Sequence, residues 1–164
     1  MVVFNSFPLI HCAKLGKLDF VFQLFRPVTI SHAVYQEVIE GGVAGGYADA
    51  ILLRNYVENG LIVVQNTGSE ESLLQGYLHP GERESIQLAN ELGDLLVVDD
   101  EKARIIAEKK NLPFCTTAGL LLILLQENII DYGHFFQNLT DYAQEGWISP
   151  KVLQNMLEEG KKYE

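Results

Sequence analysis

Residues 95–115 read Leu95-Leu96-Val97-Val98-Asp99-Asp100-Glu101-Lys102-Ala103-Arg104-Ile105-Ile106-Ala107-Glu108-Lys109-Lys110-Asn111-Leu112-Pro113-Phe114-Cys115. Four aliphatic residues in succession are too few for a helix and read as a strand, Leu95–Val98, covered on both faces. An aspartate pair ends it. Asp100 to Lys110 then carries helical spacing, Pro113–Cys115 is a second short strand, and Thr117 to Gln126 a second helix. Strand–helix units in immediate succession predict a parallel sheet with crossover helices.

The same alternation extends outward in both directions. Met1–Phe4, Val28–Ile30 and Leu61–Val64 bring the strands to five. Helical patterns fall at Pro8–Phe25 (broken near Gly16), Ser31–Glu40, Gly46–Asn59 and Pro80–Leu92, and later at Ile130–Glu145 and Pro150–Gly160. Ser31 suits an N-cap, Pro80 a first helical turn, and Gly93 a left-handed C-cap before the next strand. The expected fold is a three-layer α/β sandwich around a central parallel five-stranded sheet, one domain over residues 1–164. The last two helices, about 130–160, are expected to pack on an edge or at a dimer interface. The polar stretch Gln65 to Gln75 reads as a mobile loop.

Composition narrows the function classes. The 164 residues carry 12 Lys+Arg against 22 Asp+Glu, a net charge of −10, and 48% are hydrophobic. Disorder and low-complexity architectures are excluded, and one chain of this size buries a full core. An acidic protein lacks the surplus cations that phosphate-driven nucleic-acid binders need, so any such role requires a metal, a local basic patch or a partner. Cys12 and Cys115 lie in apolar stretches and read as reduced core thiols. The N-terminus lacks the features of a signal peptide, and the apolar run Phe114–Leu125 is shorter than the roughly 20 residues a bilayer requires. A cytoplasmic protein without a membrane role is expected. Glycine-rich dinucleotide and P-loop fingerprints do not occur, and the four histidines show no ligand spacing.

In open α/β sheets ligands bind beyond the carboxyl ends of the strands. Asn5 and Ser6 follow the first strand, Glu37 lies on the helix after the second, and Asp99-Asp100 follow the fourth. Glu82 opens the helix leading into that fourth strand and shares a face with Ser85, Ile86 and Ala89, so it points inward. Glu84 is rotated to the solvent side, and Glu37 flanks the Val34/Val38 stripe. Each acid also has a plainer reading: a first-turn charge for Glu82, capping for Asp99 and Asp100, a solvated charge for Glu37. Converging carboxylates about 5 Å apart repel by roughly 3 kcal/mol per pair at an effective dielectric near 20. A hard divalent cation, Mg²⁺ or Mn²⁺, would resolve such a cluster.

The ordered motifs VVFNSFPLI (residues 2–10), AKLGKLD (13–19), AVYQEV (33–38), GERESIQLA (81–89), LLVVDDEKARIIAEKKNLP (95–113) and TTAGLLLILL (116–125) resemble the PIN-domain proteins. The likeness runs over about the first 125 residues, and the two C-terminal helices are similar as well. It is closest to a branch related to toxins of bacterial toxin–antitoxin pairs. The resemblance implies a parallel sheet with the first strand in the middle and acids gathered around Mg²⁺ or Mn²⁺ at its carboxyl edge. Asn5, Glu37 and Glu82 take the places of the first three acidic residues, and Asp99-Asp100 the fourth region. Ser6 and Thr117 fall where small hydroxyl residues approach such a site. Arg104, one turn after the aspartates, is placed to brace a carboxylate, to meet a phosphate, or to pair with Glu101 or Glu108 on the surface. Catalytic roles fall to Glu37, Glu82, Asp99 and Asp100, and RNA contacts to Asn5, Ser6, Arg104 and Thr117.

The implied activity is metal-dependent hydrolysis of RNA phosphodiesters, leaving 5′-phosphate and 3′-hydroxyl ends, by a toxin with an antitoxin partner and a homodimeric state. The principal departure is Asn5, where a PIN nuclease usually has aspartate. An amide ligates through its carbonyl but brings no charge. The alternative is therefore a degenerate PIN fold that binds RNA or a protein without cleaving.

Overall fold

A computed structural model describes residues 1–68 and 76–164 of the chain. Five strands, β1 (Val2–Phe4), β2 (Val28–Ser31), β3 (Ile62–Gln65), β4 (Leu95–Val97) and β5 (Phe114–Cys115), form one parallel sheet in the order β3-β2-β1-β4-β5. The central strand registers Val2 against both Val28 and Leu95. Its three residues are fully buried, as a middle strand covered by helices on both faces requires.

The strand period of two divides the core. Val2, Phe4 and Val97 face one apolar cluster with Leu9, Leu121 and Leu124, while Val3, Leu96 and Val98 face another with Ile86 and Ala107. Helices α1 (Ser6–Lys14), α2 (Leu18–Leu24), α5 (Ala48–Glu58) and α8 (Thr117–Gln126) contribute to the first cluster. Helices α6 (Pro80–Leu92) and α7 (Glu101–Lys109) cover the second. Two helical layers thus sandwich the sheet. Helices α9 (Tyr132–Gln144) and α10 (Pro150–Gly160) pack on each other and on α8.

Local signals act as the sequence predicts at several boundaries. The Ser31 hydroxyl accepts from the Val34 N–H at 3.2 Å. Pro80 occupies the first turn of α6, and Gly93 closes that helix with φ of 67°, a left-handed conformation that costs glycine little. Between Lys14 and Leu18 the long N-terminal helix breaks around Gly16, whose φ is 65°.

Three details differ from the sequence reading. The expected Ser31–Glu40 helix starts as α3 (His32–Val34), continues as a π-helix over Tyr35–Glu40 and runs on as α4 (Gly41–Ala44). Its wider turns alter the angular position assumed for Glu37. Glu84 is half-buried rather than solvated, because α6 packs against the N-terminus of α3 and Glu84 accepts from the unpaired Ala33 N–H at 2.8 Å. Within the expected 65–75 loop, Gln65 completes β3, whereas residues 69–75 lie outside the described residues.

Candidate active site at the carboxyl edge of the sheet

The chain crosses to opposite edges on either side of β1, which opens a crevice beyond the carboxyl ends of β1 and β4. Asn5 leaves β1 at this point, its N–H bonded to the Val97 carbonyl at 3.0 Å. The side chain is 1% exposed, and Oδ1 has no hydrogen-bond partner. A buried carbonyl oxygen in that condition forfeits its solvation without replacement.

Asn5, Ser6, Phe7, Glu37, His79 and Glu82 line a cleft of about 170 Å³ at this edge. Ser6 Oγ donates to Glu37 Oε2 at 2.7 Å, joining α1 to the π-helix. Glu82 is 8% exposed, and its Oε2 accepts from the His79 N–H at 2.9 Å. That bond satisfies one of the N–H groups left open at the start of α6, as the plainer reading of a first-turn acid foresees. The approach of α6 depends on Gly81: a Cβ there would lie 2.9 Å from Glu37 Oε2 and 3.2 Å from Ser6 Oγ.

The aspartates take other positions. Asp99 turns toward the C-terminal helices. Its Oδ1 accepts from the Thr117 N–H and Oδ2 from the Thr117 hydroxyl, each at 2.8 Å, which also caps the start of α8. Tyr142 donates its hydroxyl to Oδ2 at 2.8 Å, and His11 Nδ1 stands 3.2 Å from the same oxygen. A carboxylate only accepts, so the His11 contact requires the proton on Nδ1. Burial pushes the Asp99 carboxyl up, but these hydrogen bonds outweigh it and hold the group below the usual carboxylate range. Asp100 is the N-cap of α7, accepting from the Ala103 N–H at 2.9 Å. With His79, Glu82 and Lys102 it also borders a second depression of about 440 Å³.

The four acids therefore do not meet at one point. Glu37 and Glu82 share a cleft with Asn5 and Ser6, Glu82 and Asp100 share its neighbour, and Asp99 is engaged behind them with Thr117. No group of three or more His, Cys, Asp or Glu side chains is placed to hold a metal among the described residues. Arg104 is half-buried, its Nε has no hydrogen-bond partner, and no ion pair with Glu101 or Glu108 joins it among the described residues.

Of the partners of Asp99, sequence reasoning singles out Thr117 but neither His11 nor Tyr142. Trp147 stacks on His11 with ring centroids 4.0 Å apart and 19° between planes, and Tyr142 meets His11 edge-on. Tyr142 and Trp147 lie more than forty positions beyond Asp99 and His11 lies eighty-eight before it, and neither spacing nor residue type marks them. Phe7 and His79 had a signal, since each directly adjoins a singled-out residue or helix start.

A family model described as DUF3368, PIN domain, matches residues 1–162. A PilT N-terminus domain protein from the hyperthermophilic archaeon Sulfolobus solfataricus P2 has a similar structure, with a TM-score of 0.52 and 16% identity, covering 75% of this chain and 92% of that one. At that identity the likeness concerns the fold alone. No curated protein matches the sequence. No helix among the described residues is long and apolar enough to cross a membrane.

Proposed function

The chain belongs to the PIN-domain family DUF3368, and from that premise we propose that it is a Mg²⁺- or Mn²⁺-dependent ribonuclease working at the Asn5–Ser6–Glu37–Glu82 cleft. One observation carries the reading: Asn5, whose Oδ1 is buried and unpartnered, lines the same small cleft as two carboxylates. A neutral carbonyl and two acids are a donor set that suits a hard cation retaining several waters. Asn5, Glu37 and Glu82 would hold it.

When bound, such a cation polarises a phosphodiester and lowers the pKa of water at the cleft. The protein's own groups do the remainder. Ser6 fixes one oxygen of Glu37, and the His79 N–H fixes one oxygen of Glu82, so both carboxylates are preorganised. Glu82, through the oxygen that the His79 N–H leaves open, would accept the proton of the attacking water, and the leaving 3′-oxygen would take its proton from solvent. Asp99, with Thr117, braces the end of β4 and the start of α8, and so supports the floor on which Asn5 sits. Asp100 borders the adjoining depression, and Arg104 lines neither it nor the cleft.

Cleavage of a generic RNA in Mn²⁺, leaving 5′-phosphate ends and falling at least a hundredfold in Glu82→Gln and Glu37→Gln, tests the proposal. A second reading, a PIN fold that binds RNA or a protein without cleaving, is favoured by the neutral Asn5 and by the saturation of Asp99. Under that reading purified protein leaves RNA intact in Mn²⁺ while still retaining it. Within the first reading the chain is the toxin of a toxin–antitoxin pair, a cytoplasmic homodimer. Exposed Phe136 with Tyr132, Leu153 and Leu157, along a groove of about 330 Å³ between α9 and α10, supports an interaction face. Light scattering on the purified chain tests the dimer.

A further inference from the structure

An acidic ribonuclease must hold an anionic strand against its own charge. The described residues bordering the two adjoining clefts include three carboxylates, Glu37, Glu82 and Asp100, against two basic side chains, Arg83 and Lys102. One of the two, Arg83, already donates to the Leu78 carbonyl at 2.8 Å. Phosphate attraction at this edge is therefore weak, and other chemistry has to supply affinity.

Two aromatic side chains stand where it is needed. Phe7 borders the first cleft and is 54% exposed, although it is a large apolar residue at the start of α1. Tyr77 borders the second and is 58% exposed, with Lys102 Nζ 5.6 Å from its ring centroid. Glu82 and His79 belong to both clefts, so the two rings flank the candidate scissile position. Neither ring belongs to the two apolar clusters of the core, and the inner face of Phe7 is turned to the His11 ring, with centroids 6.1 Å apart. An exposed ring beside a polar cleft is a stacking platform for a nucleobase, and the lysine over Tyr77 adds a cation for a neighbouring phosphate.

We propose that Phe7 and Tyr77 are the base-stacking positions of this protein, seating the nucleotides on either side of the Glu37–Glu82 cleft. The inference rests on the nuclease reading for the location of the scissile bond, not for the contact itself. Stacking needs a free base face, so the strand is bound unpaired. Its affinity comes from rings rather than from counterion release, and salt weakens it little.

The test is binding without cleavage. Fluorescence anisotropy with a labelled mixed-sequence 12-nucleotide RNA, in EDTA and in the Glu82→Gln background, removes hydrolysis from the readout. Failure of the catalytic reading then leaves this result standing, and the reverse also holds. Phe7→Ala and Tyr77→Ala are each expected to weaken binding about tenfold, by the usual contribution of one base–ring stack. Tyr77→Phe is expected to retain it, and the same sequence as a duplex to bind at least tenfold worse. Both rings are exposed, so unchanged thermal midpoints in the alanine variants separate lost stacking from lost folding. Unchanged affinity in both alanine variants, equal binding of the duplex, no binding by the unsubstituted rings, or a salt slope equivalent to several phosphates would overturn the proposal.

Discussion

Replacing Gly81 by alanine should separate the integrity of the cleft from the stability of the fold. The added Cβ would stand 2.9 Å from Glu37 Oε2, 3.2 Å from Ser6 Oγ and 3.5 Å from Val34 Cγ2. Ordinary contact begins near 3.4 Å, so the Glu37 carboxylate must withdraw by about half an ångström. It is the end of a flexible side chain, and its retreat costs the core little. The same retreat stretches the 2.7 Å bond from Ser6 that positions Glu37. Alanine also gains up to about 1 kcal/mol over glycine in a helix. The net stability change should stay within about 1 kcal/mol, or about 2–4 °C in midpoint for a domain of this size. Loss of a group that orients a ligand typically costs 10- to 100-fold in metal affinity. Calorimetric unfolding and Mn²⁺ titration on one preparation read both quantities. A midpoint within about 4 °C and an affinity lowered about tenfold or more are expected. An unchanged affinity would refute the role given to Glu37, and a midpoint lowered by 10 °C or more would refute the view that the clash is absorbed by one side chain.

Asn5→Asp adds a third carboxylate to the cleft and should tighten Mn²⁺ binding about tenfold or more, since affinity rises with ligand charge; an identical titration would place Asn5 outside the coordination sphere. Gly160→Ala would set a Cβ 2.2 Å from the ring of fully buried Phe135, a clash with no flexible end to absorb it. Overpacking of this kind costs about 1–3 kcal/mol, and denaturant unfolding should show it. Asp99 is held below its ordinary carboxyl value, so it binds fewer protons folded than unfolded. The stability it contributes is present above the ordinary value of 3.8 and is lost as pH falls through the lower folded value. Asp99→Asn should flatten that acid limb, as read by fluorescence of the single tryptophan, Trp147, on His11; parallel acid curves would show that Asp99 carries no such linkage.

Much of the fold is legible because its signals are local. Short aliphatic runs such as Leu95–Val98 announce buried strands, and Ser31, Pro80 and Gly93 mark helix ends through their own backbone chemistry. The inward face of Glu82 follows from its spacing to Ser85, Ile86 and Ala89, all buried in the structure. The π-helix at Tyr35–Glu40 has no such signal, because its ladder shifts without any glycine or proline to mark it. Glu84 misleads for a related reason: its partner, the Ala33 N–H, is supplied by a helix end fifty-one residues away. Asp99 illustrates the limit at the candidate site. Its position after β4 is written in the sequence, but the direction of its carboxylate is set by Thr117, His11 and Tyr142, which tertiary packing alone assembles.

The proposed activity depends on a divalent cation held in the cleft of Asn5, Glu37 and Glu82. Paramagnetic broadening of amide and side-chain resonances on adding Mn²⁺ tests it directly. Saturable broadening centred on the Asn5 side-chain amide and on the signals of Glu37 and Glu82, abolished in the Glu37→Gln/Glu82→Gln variant, is the expected result. Broadening spread over the acidic surface, or centred elsewhere with Asn5 unaffected, would contradict it.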